Sequence, residues 1–201
     1  MTDLASVTVE RQTKDVLRAE TLVRRDALPA EARAQAAEAI AQRAFPIAVK
    51  PGVIVSGFMP MQSEISPLPL MRKLADAGAQ LALPAIAGRG KPLIMSAYRF
   101  GDELARGQWG IREPKGEAAE VAPDILLVPL ACFDRAGHRI GYGAGYYDMT
   151  IRALRAKKKV TAIGLAFAVQ EIPLVPATEG DERLDLVLTE REVIDFRATQ
   201  K

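Results

Sequence analysis

The run Arg139-Ile140-Gly141-Tyr142-Gly143-Ala144-Gly145-Tyr146-Tyr147-Asp148 combines three alternating glycines, aromatic side chains and a closing carboxylate. Glycine lets the backbone reach positive φ and lets a ligand approach closely. Successive backbone N–H groups in such a loop converge on phosphate oxygens, and a carboxylate beside a polyphosphate is a natural Mg²⁺ anchor. The run reads as a nucleotide-phosphate loop with its own metal ligand, Asp148. Lys14 and Arg18 are four apart and share a helical face, which suits a two-point cationic grip on phosphate. Asp181, in Glu179-Gly180-Asp181-Glu182, is a second carboxylate that could share a metal with Asp148. Glu64 can accept hydrogen bonds from an amino-substituted heterocycle, and Trp109, the sole tryptophan, can stack on a flat ligand.

Each feature also fits a plainer role. Position 146 is Tyr146, so the dinucleotide fingerprint is incomplete, and no Gly-Lys-Ser/Thr run completes a P-loop. Alternating glycines also suit a simple turn segment. Lys14 and Arg18 fit a solvated basic face, Glu64 a helix N-terminal carboxylate, Trp109 a core anchor and Asp181 a turn aspartate. His138 reads as a turn residue and Cys132 as a small packed hydrophobe, so neither is given chemistry.

The elements that must position these groups follow from periodicity and punctuation. Residues 1–12 are expected to be loosely ordered. Helices are expected over 13–27, 30–44, 67–77 and 146–156, and buried strands over 53–58, 81–83, 93–100, 125–128, 160–167 and 184–188. The strand at 81–83 is expected to end at Pro84, and the Gly- and Pro-rich stretch 101–123 to be a surface excursion. Alternating strands and helices predict one α/β domain over residues 1–201 with a mostly parallel sheet. A glycine loop between the strand at 125–128 and the helix at 146–156 occupies the usual phosphate position of such folds.

With 201 residues, 49% hydrophobic and 26% charged, the chain can bury a substantial core. A net charge of +2 gives no electrostatic case for nucleic acid or a membrane surface. One Cys and one His exclude an intrachain disulfide and a Cys/His zinc site. A cytoplasmic location and a monomer are expected.

Leu127-Val128-Pro129-Leu130-Ala131-Cys132-Phe133-Asp134, followed by Gly141 to Asp148, resembles the long signature of the 5-formyltetrahydrofolate cyclo-ligase family, also called 5,10-methenyltetrahydrofolate synthetases. Three shorter blocks stand in the family's order: Lys14-Asp15-Val16-Leu17-Arg18, Met61-Gln62-Ser63-Glu64-Ile65 and Gly107-Gln108-Trp109-Gly110-Ile111-Arg112-Glu113-Pro114. The resemblance implies a three-layer, Rossmann-like fold with helices on both faces of the sheet. It implies ATP contacts from Lys14, Arg18, Arg139, Ile140, Gly141, Tyr142, Gly143, Ala144, Gly145, Tyr146 and Tyr147. It further implies a folate site at Met59, Glu64 and Trp109, and Mg²⁺ held by Asp148 and Asp181. The implied reaction phosphorylates the formyl oxygen of 5-formyltetrahydrofolate with ATP. N10 then closes the ring, giving 5,10-methenyltetrahydrofolate, ADP and phosphate. No covalent nucleophile is implied, only positioning and electrostatics. The chain departs from the family's usual pattern at Gly180, often His, and at Ala144, often Gly or Lys; neither change removes an expected ligand atom.

Overall fold

A computed structural model describes residues 4–199, with only the backbone described for residues 4–12, Trp109 and Thr199. Two helices, α1 (Leu4–Asp26) and α2 (Ala30–Gln42), precede strand β1 (Ile54–Ser56). Helix α3 (Leu68–Asp76) leads to β2 (Gln80–Ala85) and β3 (Ile94–Tyr98). The short strands β4 (Leu104–Arg106) and β5 (Arg112–Pro114) form a hairpin. Strand β6 (Ile125–Pro129) is followed by a second small hairpin, β7 (Cys132–Phe133) with β8 (Arg139–Ile140). Helix α4 (Tyr146–Arg155), β9 (Thr161–Leu165), β10 (Leu186–Leu188) and β11 (Val193–Asp195) complete the order.

Seven strands form one sheet in the order β11-β10-β9-β6-β1-β2-β3. The five inner strands run parallel, and the edges β3 and β11 are antiparallel to their neighbours. Strand β6 is paired on both edges, with β1 and β9, and packed on both faces of the sheet, so its sequence is continuously apolar. Its side chains alternate. Ile125 and Leu127 join the layer of α2 and α3, with Ala36, Ile40, Leu70, Met71 and Leu74. Leu126 and Val128 join the opposite layer with Ile151 of α4. The fold is therefore the three-layer α/β arrangement that the sequence implied.

Four local expectations are corrected. Helix α1 begins at Leu4 rather than near residue 13, because extending a nucleated helix costs little per residue; the call of loose order for residues 1–3 lies outside the described residues. Strand β2 passes through Pro84, which pairs with Met95 of β3. Its ladder with β1 ends at Ser56 and Ala82, so on that side Pro84 has no ladder bond to lose. The excursion 101–123 is partly ordered by the β4–β5 hairpin and a bridge between Ser96 and Glu120. A further edge strand, β11, follows the expected last one; its three residues end in an exposed aspartate rather than forming an apolar run. No described helix is long and apolar enough to cross a membrane.

Candidate active site

Parallel strands place their carboxyl ends on one side of the sheet, and ligands bind beyond those ends. Here β1 runs into a loop carrying Phe58, Met59, Met61 and Glu64. Strand β2 ends beside Pro84 and Ile86, and β6 ends at Pro129 ahead of the β7–β8 hairpin. These residues line one cavity of about 610 Å³, together with Lys14, Arg18, residues 139–148, Thr178 and Asp181. Every residue expected to bind ATP or metal lies on this wall, as do Met59 and Glu64. Trp109 has its backbone in the turn Gln108–Gly110, and its side chain lies outside the described residues. The following residues, Ile111, Arg112 and Glu113, line the cavity.

The glycine loop enters α4 directly. Gly143 has φ 94° and Gly145 φ 68°, values that side-chain-bearing residues adopt at a cost. Gly145 caps α4 without any side-chain hydrogen bond, and the positive end of the helix dipole there favours an anion. Arg18 Nε donates to the Gly141 carbonyl at 2.7 Å and fixes the start of the loop. Lys14 Nζ donates to Asp181 Oδ2 at 2.5 Å, and Thr178 donates to the same oxygen through its N–H at 2.8 Å and its hydroxyl at 3.0 Å. Burial raises the Asp181 carboxyl, but these donors outweigh it and hold the group below the usual carboxylate range. Lys14 and Arg18 are thus bound to the site wall rather than forming a free solvated face.

Asp148 stands in the first turn of α4. Its Oδ1 accepts from Arg139 Nη2 at 2.8 Å and from the Glu182 N–H at 3.0 Å. Arg139 is 3% exposed, and its Nη1 donates to the Glu182 carbonyl at 2.5 Å. Among the described residues, neither Asp148 Oδ2 nor Asp181 Oδ1 has a hydrogen-bond partner. Two hard carboxylate oxygens beside a phosphate-shaped loop fit Mg²⁺, which takes one or two carboxylates and completes its shell with phosphate and water. No group of three or more His, Cys, Asp or Glu among the described residues is placed to hold a metal by itself.

Glu64 closes its own loop. Its Oε2 accepts the Met61 N–H at 2.7 Å, and its N–H donates to the Met61 carbonyl at 2.9 Å. It precedes α3 by several residues, so the helix-terminus role is not the one it plays. Burial pushes its carboxyl up, against the opposing pull of the Met61 N–H, the Tyr142 hydroxyl and Arg25. The hydroxyl of Tyr147 is buried and without a hydrogen-bond partner among the described residues. Burial and the nearby Glu64 carboxylate keep it protonated.

The 5-formyltetrahydrofolate cyclo-ligase family model matches residues 10–190. The chain belongs to this family. The 5-formyltetrahydrofolate cyclo-ligase of Mycolicibacterium smegmatis is 32% identical over 199 residues, covering 91% of this chain and 96% of that protein. The enzyme of that name from Escherichia coli K12 is 31% identical over 150 residues, covering 71% and 80%. The NMR structure of Aquifex aeolicus 5,10-methenyltetrahydrofolate synthetase matches with a TM-score of 0.76 at 28% identity, covering 92% of this chain and 93% of that one. As a cyclo-ligase family member the chain carries the family's α/β fold and is a ligase of folate one-carbon chemistry.

Some site residues of this cyclo-ligase were not singled out from sequence. Glu113 lines the cavity and its carboxyl is pushed up by burial. Gly107 makes room for it, since a Cβ there would lie 2.2 Å from the Glu113 carboxyl carbon. Arg25, 1% exposed, sits behind the cavity wall. No local signal marks a buried arginine within Val23-Arg24-Arg25-Asp26. Cys132 and His138 behave as expected. Cys132 is buried with its thiol pushed up to about 11, and the His138 N–H donates to Asp134 in the β7–β8 turn.

Proposed function

We propose that the protein converts 5-formyltetrahydrofolate to 5,10-methenyltetrahydrofolate, consuming ATP and releasing ADP and phosphate. The carrying observation is that one cavity collects a glycine loop, two cations and two aspartates on one side and the Met59–Glu64 loop on the other. Membership of the cyclo-ligase family supports the same reading. The formyl group on N5 is amide-like, so its carbon is a poor electrophile and its oxygen a poor leaving group. Transfer of the γ-phosphoryl group to that oxygen removes both obstacles. N10 then attacks the same carbon, the ring closes, and phosphate leaves.

The protein's work in these steps is positioning and charge stabilisation. The glycine loop and the first turn of α4 would hold the triphosphate through backbone N–H groups. Arg18 orders the loop, and Lys14 presents a cation at the phosphates. Asp148 and Asp181 would hold Mg²⁺, which when bound spreads the negative charge of the phosphates. Glu64, Met59 and Trp109 would seat the folate. The Cys132 thiol is buried and stays protonated, in keeping with a route that needs no covalent nucleophile. A lone buried cysteine also suits the cytoplasm, where we place the enzyme.

The test mixes purified protein with 5-formyltetrahydrofolate and Mg-ATP and follows the near-ultraviolet absorbance of the methenyl product. A rise that needs both ATP and Mg²⁺ is expected. No rise from protein that still binds ATP would refute the folate assignment and point to another small-molecule substrate on the same fold.

A further inference from the structure

We propose that Arg25 is a positioning residue that couples the two halves of the cavity, so that nucleotide and folate bind cooperatively. The inference rests on the two-substrate reading above. Arg25 lies near the end of α1 and is 1% exposed. Its Nε donates to Ser63 Oγ at 2.9 Å, within the Glu64 loop, and its Nη1 donates to the Tyr142 hydroxyl at 2.5 Å, within the glycine loop. The guanidinium carbon stands 5.9 Å from the centroid of the Tyr142 ring. The Tyr142 hydroxyl is in turn hydrogen-bonded to Glu64, and Ser63 Oγ donates to Asp26 Oδ1. One buried fork therefore joins α1 to both substrate loops.

Three physical features make this a coupling device rather than ordinary fold support. First, both hydrogen bonds of the guanidinium go to side chains of site loops, 38 and 117 residues away in sequence. Second, a guanidinium is a planar fork whose nitrogens reach two partners in fixed geometry, which a lysine ammonium does not reproduce. Burial makes loss of either partner costly, so the two loops share one arrangement. Third, Gln62, immediately before Ser63, has φ 50°. A non-glycine residue in the left-handed region holds that geometry only where its surroundings enforce it, and Ser63 and Glu64 are its anchors. A folate gripped by Glu64 favours this arrangement. Tyr142 then stands where the nucleotide needs it, and the converse follows because coupling between two ligands is reciprocal.

The experiment is calorimetric titration of the whole protein with the β,γ-imido analogue of ATP and Mg²⁺, with and without saturating 5-formyltetrahydrofolate. The wild-type protein is expected to bind the nucleotide at least about fivefold tighter with folate present, the lower end of typical couplings. In Tyr142→Phe and Arg25→Lys that ratio should fall to within about twofold of one, and combining them should lower it no further, as expected for members of one network. Absence of coupling in the wild type, or coupling retained in both variants, would overturn the proposal and leave Arg25 a structural residue. Tyr142 bonds Glu64 directly as well as Arg25, so if Arg25→Lys fails to fold the test passes to Ser63→Ala, which removes the Arg25 bond to the Glu64 loop, leaves the Tyr142–Glu64 bond in place and should lower the ratio likewise. Failure is distinguishable from that of the folate reading: folate that binds without coupling sinks only the Arg25 proposal, whereas no folate binding sinks both.

Discussion

Replacing Asp148 separates a structural task from the metal-binding task proposed for the same carboxylate. Its Oδ1 holds Arg139 at 2.8 Å and the Glu182 N–H at 3.0 Å; its Oδ2 is the candidate metal ligand. Asp148→Ala removes both hydrogen bonds and leaves Arg139, 3% exposed, with an uncompensated charge. Charge-assisted bonds are each worth about 1.5–3 kcal/mol, and the partial exposure of Asp148 reduces the sum, so the expected loss is about 2–4 kcal/mol. In a chain of this size each kcal/mol moves Tm by about 2–4 °C, which gives a fall of roughly 4–16 °C. Asp148→Asn keeps an acceptor oxygen for both donors and should cost only about 1 kcal/mol. It nevertheless removes the charge proposed to hold Mg²⁺, so kcat should fall about 10²–10³-fold, the usual cost of losing one electrostatic stabiliser. Circular dichroism melts paired with the methenyl absorbance assay over a Mg²⁺ series give both numbers. Turnover by Asp148→Asn within about threefold of wild type at saturating Mg²⁺ would refute the metal role. An unchanged Tm in Asp148→Ala would refute the structural one.

Three further outcomes are expected. Lys14→Met should raise KM for ATP and lower stability at neutral pH. The depressed Asp181 carboxyl contributes stability above the ordinary carboxylate value and loses it as pH falls through its own lower value, so the deficit in urea unfolding should shrink toward about pH 2. An equal deficit at pH 7 and pH 2 contradicts this. Glu64→Gln should raise KM for the folate yet melt higher than wild type near pH 8. A carboxyl raised by burial costs stability only above its ordinary value, so the gain should vanish at about pH 3.5; a lower melting point at pH 8 counts against the burial argument. Gly143→Ala meets no steric block, its nearest neighbour being Arg18 Nη2 at 3.6 Å, but φ 94° strains any side-chain-bearing residue. A loss of about 1–2 kcal/mol with a raised KM for ATP is expected, and unchanged unfolding would show that the loop relaxes.

Much of the positioning frame is legible in the chain because its signals are local. The apolar run Ile125-Leu126-Leu127-Val128, the glycine loop and the helix beginning at Tyr146 follow one another within about one βα unit, and periodicity reads such units directly. The same locality exposes Asp148, which stands in the first turn after the loop. Some short elements were illegible because β4, β5 and β11 mix apolar with charged residues at hairpins and an edge, whereas the equally short β1 and β10 sit within buried apolar runs. Pro84 misled because a proline's cost in a strand depends on whether a neighbour needs its N–H, which only the ladder decides.

The sequence by itself determined which residues have the chemistry to hold phosphate, metal and a heterocycle, and which family's pattern they follow. Tertiary structure alone decided their partners. Lys14 meets Asp181 across 167 residues, Arg18 meets Gly141 across 123, and Arg25 meets Tyr142 across 117. Hydrogen bonds require donor and acceptor within about 3 Å. No spacing along the chain encodes such distances between remote segments; they arise when the sheet and its two helical layers close around the core.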